Sequence, residues 1–170
     1  MGKEIDWAAL RVVILDPDGE RTSRIHKTLR HQDVRWISSA RSTKDALVLL
    51  AEGLQDVILM DSSFYNTQGK EFMRILRSPV ESPCLRLPVL LLIARPTKDG
   101  LQEAIRTGID HFIAKPFVSK ALLDRIELLL KNPPLYMETA SYIGPDRRRV
   151  PDLKYAGDKR READEEPTLT

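Results

Sequence analysis

Residues 56–61 read DVILMD, four apolar side chains enclosed by two aspartates. An unbroken apolar run of this length, without polar alternation, is typical of a strand buried on both faces of a parallel sheet. Two other runs have the same character: residues 12–15 read VVIL and residues 89–93 read VLLLI. Together the three runs indicate a parallel sheet that is covered by helices on both sides.

Five strand candidates alternate with five amphipathic helical patterns. The strands are predicted at Arg11–Leu15, Arg35–Ser38, Val57–Met60, Val89–Ile93 and His111–Ala114, and the second, more polar one suits a sheet edge. The helices are predicted at 19–31, 43–52, 69–77, 98–107 and from Ser119, as N-cap, to the Asn132-Pro133-Pro134 stop. Five strand–helix alternations predict a three-layer α/β domain with right-handed crossovers.

Composition excludes several classes of protein. The net charge is only +2, so there is no global electrostatic case for nucleic acid or an anionic membrane. A single cysteine, Cys84, excludes an internal disulfide and a multi-cysteine zinc site, and no histidine lies near it to activate the thiol. The run Val89–Ala94 is far shorter than a membrane span, and the N-terminus lacks an apolar signal core. We therefore expect a cytoplasmic protein.

Polar residues follow three of the predicted strands. Asp16 and Asp18 come after the first strand, Asp61 ends the third and Lys115 follows the fifth. Carboxyl ends of parallel strands meet at one edge of the sheet, where ligands of such folds bind. Carboxylates there suit Mg²⁺, a lysine suits a phosphoryl oxygen, and a carboxylate can act as a nucleophile. The alternative is structural, since Asp16 or Asp18 could simply cap the first helix.

With these motifs the sequence resembles the receiver domain of response regulators over about residues 9–131. The resemblance rests on the acidic stretch after the first strand and on an ordered set of further segments: 56–61 with Gly69 eight residues after the aspartate, 87–89, 104–108 and 112–117. It implies a flavodoxin-like fold with a five-stranded sheet in the order 2-1-3-4-5. It also implies phosphorylation of Asp61 by a histidine kinase or phosphotransfer protein, with Lys115 contacting the phosphate and Mg²⁺ held by Asp16, Asp18 and Asp61.

The sequence departs from the family pattern at four positions. Pro17 stands where a second acidic residue usually ligates the metal, and it offers no side-chain ligand. Ile93 stands where a Thr or Ser hydroxyl normally follows the phosphoryl group, and it cannot donate a hydrogen bond. Phe112 holds the aromatic switch position without a hydroxyl, and Tyr65 replaces a usual proline.

Two hypotheses about function follow. The first is a stand-alone, partly degenerate response regulator that accepts a phosphoryl group on Asp61 and signals by protein–protein interaction. The second is a pseudo-receiver that binds partners without phosphate. An enzyme is not expected, because the loop after the first strand has one glycine, Gly19, and two acidic residues that would repel a nucleotide phosphate. The surface containing Arg106 and His111 is where receivers usually bind partners or form homodimers.

Residues 132–170 differ in composition from the rest of the chain. They are rich in proline and charge and have almost no apolar periodicity, so we expect disorder. A motif is duplicated here, as YIGPDRRR at 142–149 and YAGDKRR at 155–161. Docking to a partner and a plain linker both remain open, while interleaved acidic residues disfavour nucleic acid. No output domain is recognisable after residue 131, so direct action as a transcription factor is not expected.

Overall fold

The computed structural model describes residues 4–133, 136–139 and 142–145. Five parallel strands form one sheet in the order β2-β1-β3-β4-β5. The strands are β1 Arg11–Leu15, β2 Trp36–Ala40, β3 Val57–Asp61, β4 Val89–Ile93 and β5 His111–Ala114. The predicted flavodoxin-like fold and strand order are confirmed.

In the described part of the chain, six helices surround this sheet. They are α1 Gly19–His31, α2 Thr43–Ala51, α3 Ser62–Phe64, α4 Lys70–Leu76, α5 Lys98–Arg106 and α6 Ser119–Lys131. Helices α1 and α6 pack on one face of the sheet, and α2 to α5 pack on the other. Alternate residues of the central strands therefore enter two separate cores, as Leu59 and Met60 do. Burial on both faces explains why these strands are unbroken apolar runs.

The edge strand β2 begins one residue later than predicted, at Trp36, and ends two residues later, at Ala40. It pairs with β1 as far as Leu15↔Ala40, and Ala40 is buried. The predicted end at Ser38 was wrong because serines are poor strand markers. Pairing with β1 overrides that local preference.

The helix after β3 begins earlier than predicted. The sequence indicated residues 69–77, but helical structure starts at Ser62 and includes a π-helical segment, Tyr65–Gly69, before α4. Asp61 caps this start, since its carboxylate accepts a hydrogen bond from the backbone N–H of Ser63. The Thr67 hydroxyl donates hydrogen bonds to the backbone carbonyls of Ser63 and Phe64, at the start of the wider π-helical turn. Periodicity alone could not indicate this start, because it depends on the cap.

Two expectations for the end of the domain need correction. Helix α6 begins at Ser119, but Val118 is its N-cap and the Ser119 hydroxyl contacts Thr28 instead. Disorder was expected from residue 132, yet Tyr136–Thr139 and Tyr142–Pro145 pair as an antiparallel hairpin, β6 and β7. The second copy of the duplicated motif and the arginines of the first lie outside the described residues. No helix among those described has the length and apolarity needed to cross a bilayer.

Candidate functional site

Asp61 ends the central strand of the sheet, and its side chain is almost fully enclosed, 3% exposed. The ammonium of Lys115, which follows β5, donates a hydrogen bond to Asp61 Oδ2. Ser63 donates to Asp61 Oδ1 twice, from its backbone N–H at 2.8 Å and from its hydroxyl at 2.6 Å. The carboxylate is thus held by one cation and two neutral donors.

These donors keep the Asp61 carboxylate ionised. Burial raises the pKa of Asp61, but the hydrogen bonds from Lys115 and Ser63 lower it more in sum. The pKa of Asp61 therefore lies below its ordinary value. An ionised carboxylate at neutral pH has the lone pairs that a nucleophile needs.

Asp16, at the end of β1, is buried beside Asp61 and is bound by Arg21 of α1. The Arg21 guanidinium takes both carboxylate oxygens, with Nε 3.2 Å from Oδ2 and Nη2 2.9 Å from Oδ1. The same Nη2 donates to the Ser63 hydroxyl at 2.9 Å and lies 3.9 Å from Asp61 Oδ1. A cation of the protein therefore lies between the two buried carboxylates, and the hydrogen bond to Asp16 raises the pKa of Arg21.

Asp18 has a structural role that the sequence left open. It is the N-cap of α1, where its carboxylate accepts hydrogen bonds from the backbone N–H groups of Glu20 and Arg21. These bonds lower the pKa of Asp18, and its other oxygen lies 3.1 Å from Arg21 Nη1. The Asp18 carboxylate is therefore used to cap α1 and does not serve as a ligand in the space in front of Asp61.

The predicted set of magnesium ligands does not fit this geometry. Both oxygens of Asp16 are taken by Arg21, Pro17 supplies no ligand and Asp18 caps a helix. Within the described part of the chain, no three His, Cys, Asp or Glu side chains are arranged to hold a metal ion. Mg²⁺ requires oxygen ligands in near-octahedral order, and a guanidinium in their midst offers only donors.

The two predicted switch residues lie on β4 and β5, on the α5 side of the site. Ile93 ends β4, is buried, and lines a cavity of about 300 Å³ together with Ser62 and Tyr65. Phe112 packs against the same core and pairs in register with Leu91. Neither side chain contributes a polar group to Asp61.

Sequence reasoning missed Arg21 and Ser63. Ser63 lies two residues after Asp61, the spacing at which an aspartate side chain accepts a hydrogen bond from its own chain. Arg21 lies three residues after the N-cap Asp18, a position whose side chain can reach back towards the cap. Both residues could have been found from their spacing to a nearby aspartate, but the prediction of the site considered only residues that follow the strands.

Comparison with known proteins identifies the fold's relatives. The family model described as "Response regulator receiver domain" matches residues 12–127, about two thirds of the chain. The chain belongs to this family. The receiver is 26% identical over 122 residues to the heme response regulator HssR of Staphylococcus haemolyticus, covering 72% of this chain and 52% of HssR. It is 25% identical to the chemotaxis protein CheY of Pseudomonas aeruginosa, covering 72% of this chain and 97% of CheY.

Solved structures agree with this assignment. The receiver domain of Francisella response regulator 1452 superimposes with a TM-score of 0.61 at 27% identity, covering 72% of this chain and 98% of that one. CheY4 of Vibrio cholerae gives a TM-score of 0.63 at 23% identity, covering 71% and 98%, and supports the fold alone. The receiver spans about half the length of curated relatives such as HssR.

Proposed function

We propose that this receiver accepts a phosphoryl group on Asp61 from a phosphohistidine and passes the signal on by protein–protein contact in the cytoplasm. The observation that supports it most directly is the buried, ionised Asp61 between Lys115 and Ser63. Action as a single-domain response regulator is part of the same proposal, since the match covers 97% of a chemotaxis relative.

The proposed reaction is a displacement at phosphorus. An oxygen of Asp61 attacks the phosphorus atom, a P–O bond forms and the P–N bond to the donor imidazole breaks. The imidazole nitrogen keeps the electron pair and takes a proton from solvent. The product is an acyl phosphate on Asp61, and Lys115 is positioned to neutralise charge on the transferred oxygens.

We propose that the donor approaches along the groove that lies beside the site. A groove of about 340 Å³ between α1 and α6 is lined by Arg21 and Lys115, and Phe117 and Leu122 supply apolar surface. The two cations would attract a phosphorylated donor, and the apolar residues would contact its protein surface. This arrangement favours delivery by a protein carrying phosphohistidine.

The readout of phosphorylation should differ from the pattern that the resemblance implies. Ile93 cannot donate a hydrogen bond to a phosphoryl oxygen, and Phe112 has no hydroxyl. We propose that the signal is carried by repacking around the cavity that Ile93 lines, next to α5. The exposed Arg106 at the end of α5 and His111 at the start of β5 then mark the candidate surface for a downstream partner or a homodimer.

The test is phosphorylation by phosphoramidate, followed by intact-protein mass spectrometry. We expect one phosphoryl group on the wild type and none on Asp61→Asn, which keeps the shape of the side chain but is a poor nucleophile. Asp99→Asn is the matched control, because Asp99 is an exposed carboxylate in the first turn of α5. Equal labelling of wild type and Asp61→Asn would refute the proposal.

A second candidate, a receiver that acts without phosphate, is favoured by the complete pairing of the site. Lys115, Ser63 and Arg21 already compensate the charges of Asp16 and Asp61. Beryllofluoride, a phosphoryl mimic, separates the candidates by NMR. Shifts around Asp61 that disappear in Asp61→Asn support phosphorylation, whereas an unchanged spectrum supports the phosphate-independent module.

A further inference from the structure

The position of Arg21 sets this receiver apart from the arrangement that the resemblance implies. Its guanidinium makes a two-point contact with Asp16 and reaches Ser63, the residue that also donates to Asp61. The Asp16 side chain is fully buried, whereas the Arg21 side chain is 40% exposed. The Arg21 guanidinium is thus held by Asp16 on its buried side and faces the groove between α1 and α6 on its exposed side.

We infer that the Arg21 guanidinium takes over the charge-neutralising role that the resemblance assigns to magnesium, so that phosphoryl acceptance by Asp61 needs no divalent cation. This inference rests on the proposed function. It adds Arg21 as a catalytic residue that contacts the transferred phosphoryl group, and it predicts that no metal ion is needed, whereas the resemblance implies that Mg²⁺ is required.

The charges around Asp61 require such a cation. Asp16 and Asp61 are both buried, and Asp18 lies at the rim of the site. Lys115 alone would leave an incoming phosphoryl group facing an excess of negative charge. With Arg21 in place, two cations flank Asp61 on different sides, Lys115 at Oδ2 and Arg21 near Oδ1.

Arg21 is also suited to hold a phosphoryl oxygen. A guanidinium carries several N–H donors in one plane and pairs well with phosphate oxygens. Nη2 reaches Ser63 and Asp16 at the same time and lies beside Asp61, so a small rotation would redirect it to a transferred oxygen. A divalent cation at this place would first have to displace the guanidinium from Asp16.

The test compares phosphoramidate labelling of Asp61 in EDTA and in excess Mg²⁺. We expect the wild type to be labelled at the same rate in both. Arg21→Gln should lose about 10²-fold or more of the rate in EDTA, the cost typical of removing one preorganised donor at a reacting oxygen. Arg30→Gln, the same substitution on an exposed arginine of α1, should label like the wild type.

Each other outcome counts against a defined claim. Labelling of the wild type only with Mg²⁺ overturns the inference and leaves the proposed function standing. Equal labelling of Arg21→Gln and wild type in EDTA also overturns the inference alone. Absence of labelling in both conditions overturns the proposed function and the inference together.

A measurement that does not use Arg21→Gln protects the test against misfolding of that variant. Electron paramagnetic resonance should show the same Mn²⁺ binding in the wild type and in Asp61→Asn, because no Mn²⁺ site is expected to depend on Asp61. A site that binds Mn²⁺ in the wild type and disappears in that variant would overturn the inference.

Discussion

Replacing Arg77 by methionine should destabilise this receiver more than any comparable change on its surface. Arg77 follows α4 and its side chain is 4% exposed. Its guanidinium donates five hydrogen bonds, which go to the backbone carbonyls of Leu85, Leu87 and, twice, Gly108, and to the carboxylate of Asp110. Methionine keeps much of the apolar stem but supplies none of these donors.

The expected magnitude follows from the burial of the pair. Removing one partner of a buried ion pair costs about 3–5 kcal/mol, because the other charge stays buried without compensation. Asp110 keeps hydrogen bonds from the Val89 backbone N–H at 2.7 Å and from the Tyr136 hydroxyl at 2.9 Å. We therefore expect the lower end, about 3 kcal/mol in the free energy of unfolding.

Arg74→Met is the matched control. Arg74 lies on the same helix and pairs with Glu71 and Glu81, but its side chain is 54% exposed. Ion pairs that face solvent contribute about 0–1 kcal/mol. Urea unfolding followed by circular dichroism should therefore separate the two variants by about 2 kcal/mol or more.

Equal destabilisation by Arg77→Met and Arg74→Met would refute this reasoning. If Arg77→Met does not fold, Arg77→Lys keeps the charge and should lie between wild type and the methionine variant. Asp110→Asn combined with Arg77→Met should cost less than the sum of the two single changes, since the stranded charge is then absent.

Three further predictions concern single groups. Lys115→Met should raise the pKa of Asp61, because the hydrogen bond from Lys115 no longer offsets the effect of burial. A pH titration of the Asp61 carboxyl carbon by carbon-13 NMR measures this change. The lowered pKa of Asp61 gives stability that is fully present above about pH 3.9 and is lost as pH falls through the folded value. In Lys115→Met this contribution should be smaller, and its loss should be complete at a higher pH. Tyr136→Phe should speed amide hydrogen exchange in β6 and β7, since the hydroxyl bond to Asp110 is lost; unchanged exchange would contradict a docked hairpin. Cys84 should react with a thiol reagent more slowly than free cysteine until the protein is unfolded, because burial raises the pKa of its thiol.

The sheet could be predicted because its information is local and redundant. Each central strand is an apolar run, and Asp16 and Asp61 lie where two of these runs end, while Lys115 follows the edge strand β5. Their convergence then follows from parallel order alone. The same local reasoning placed four of the five strands within one residue of their observed ends.

What could not be predicted depends on long side chains and distant partners. Arg21 lies among charged residues of a helix, a pattern usually typical of a solvated face, and only the fold shows it turning back to Asp16. The β6–β7 hairpin has little apolar periodicity, but Tyr136 packs over the Arg77 guanidinium and donates to Asp110. The contacts of Arg21 with Ser63 and of Tyr136 with Asp110 join residues tens of positions apart, and such contacts leave no periodic signal in either segment.

Pro17 and Arg21 are best understood together. Pro17 stands where the resemblance implies a metal-ligating carboxylate, and the neighbouring Asp18 caps α1 instead of replacing it. Arg21 adds one positive charge between the two remaining buried carboxylates. The positive charge that the resemblance would assign to a bound metal ion is thus supplied here by a side chain of the protein. A site with Pro17 and no Arg21 would lack both that metal ligand and the cation that pairs with Asp16, so the arginine supplies the positive charge that neutralises this buried carboxylate when no metal ion does.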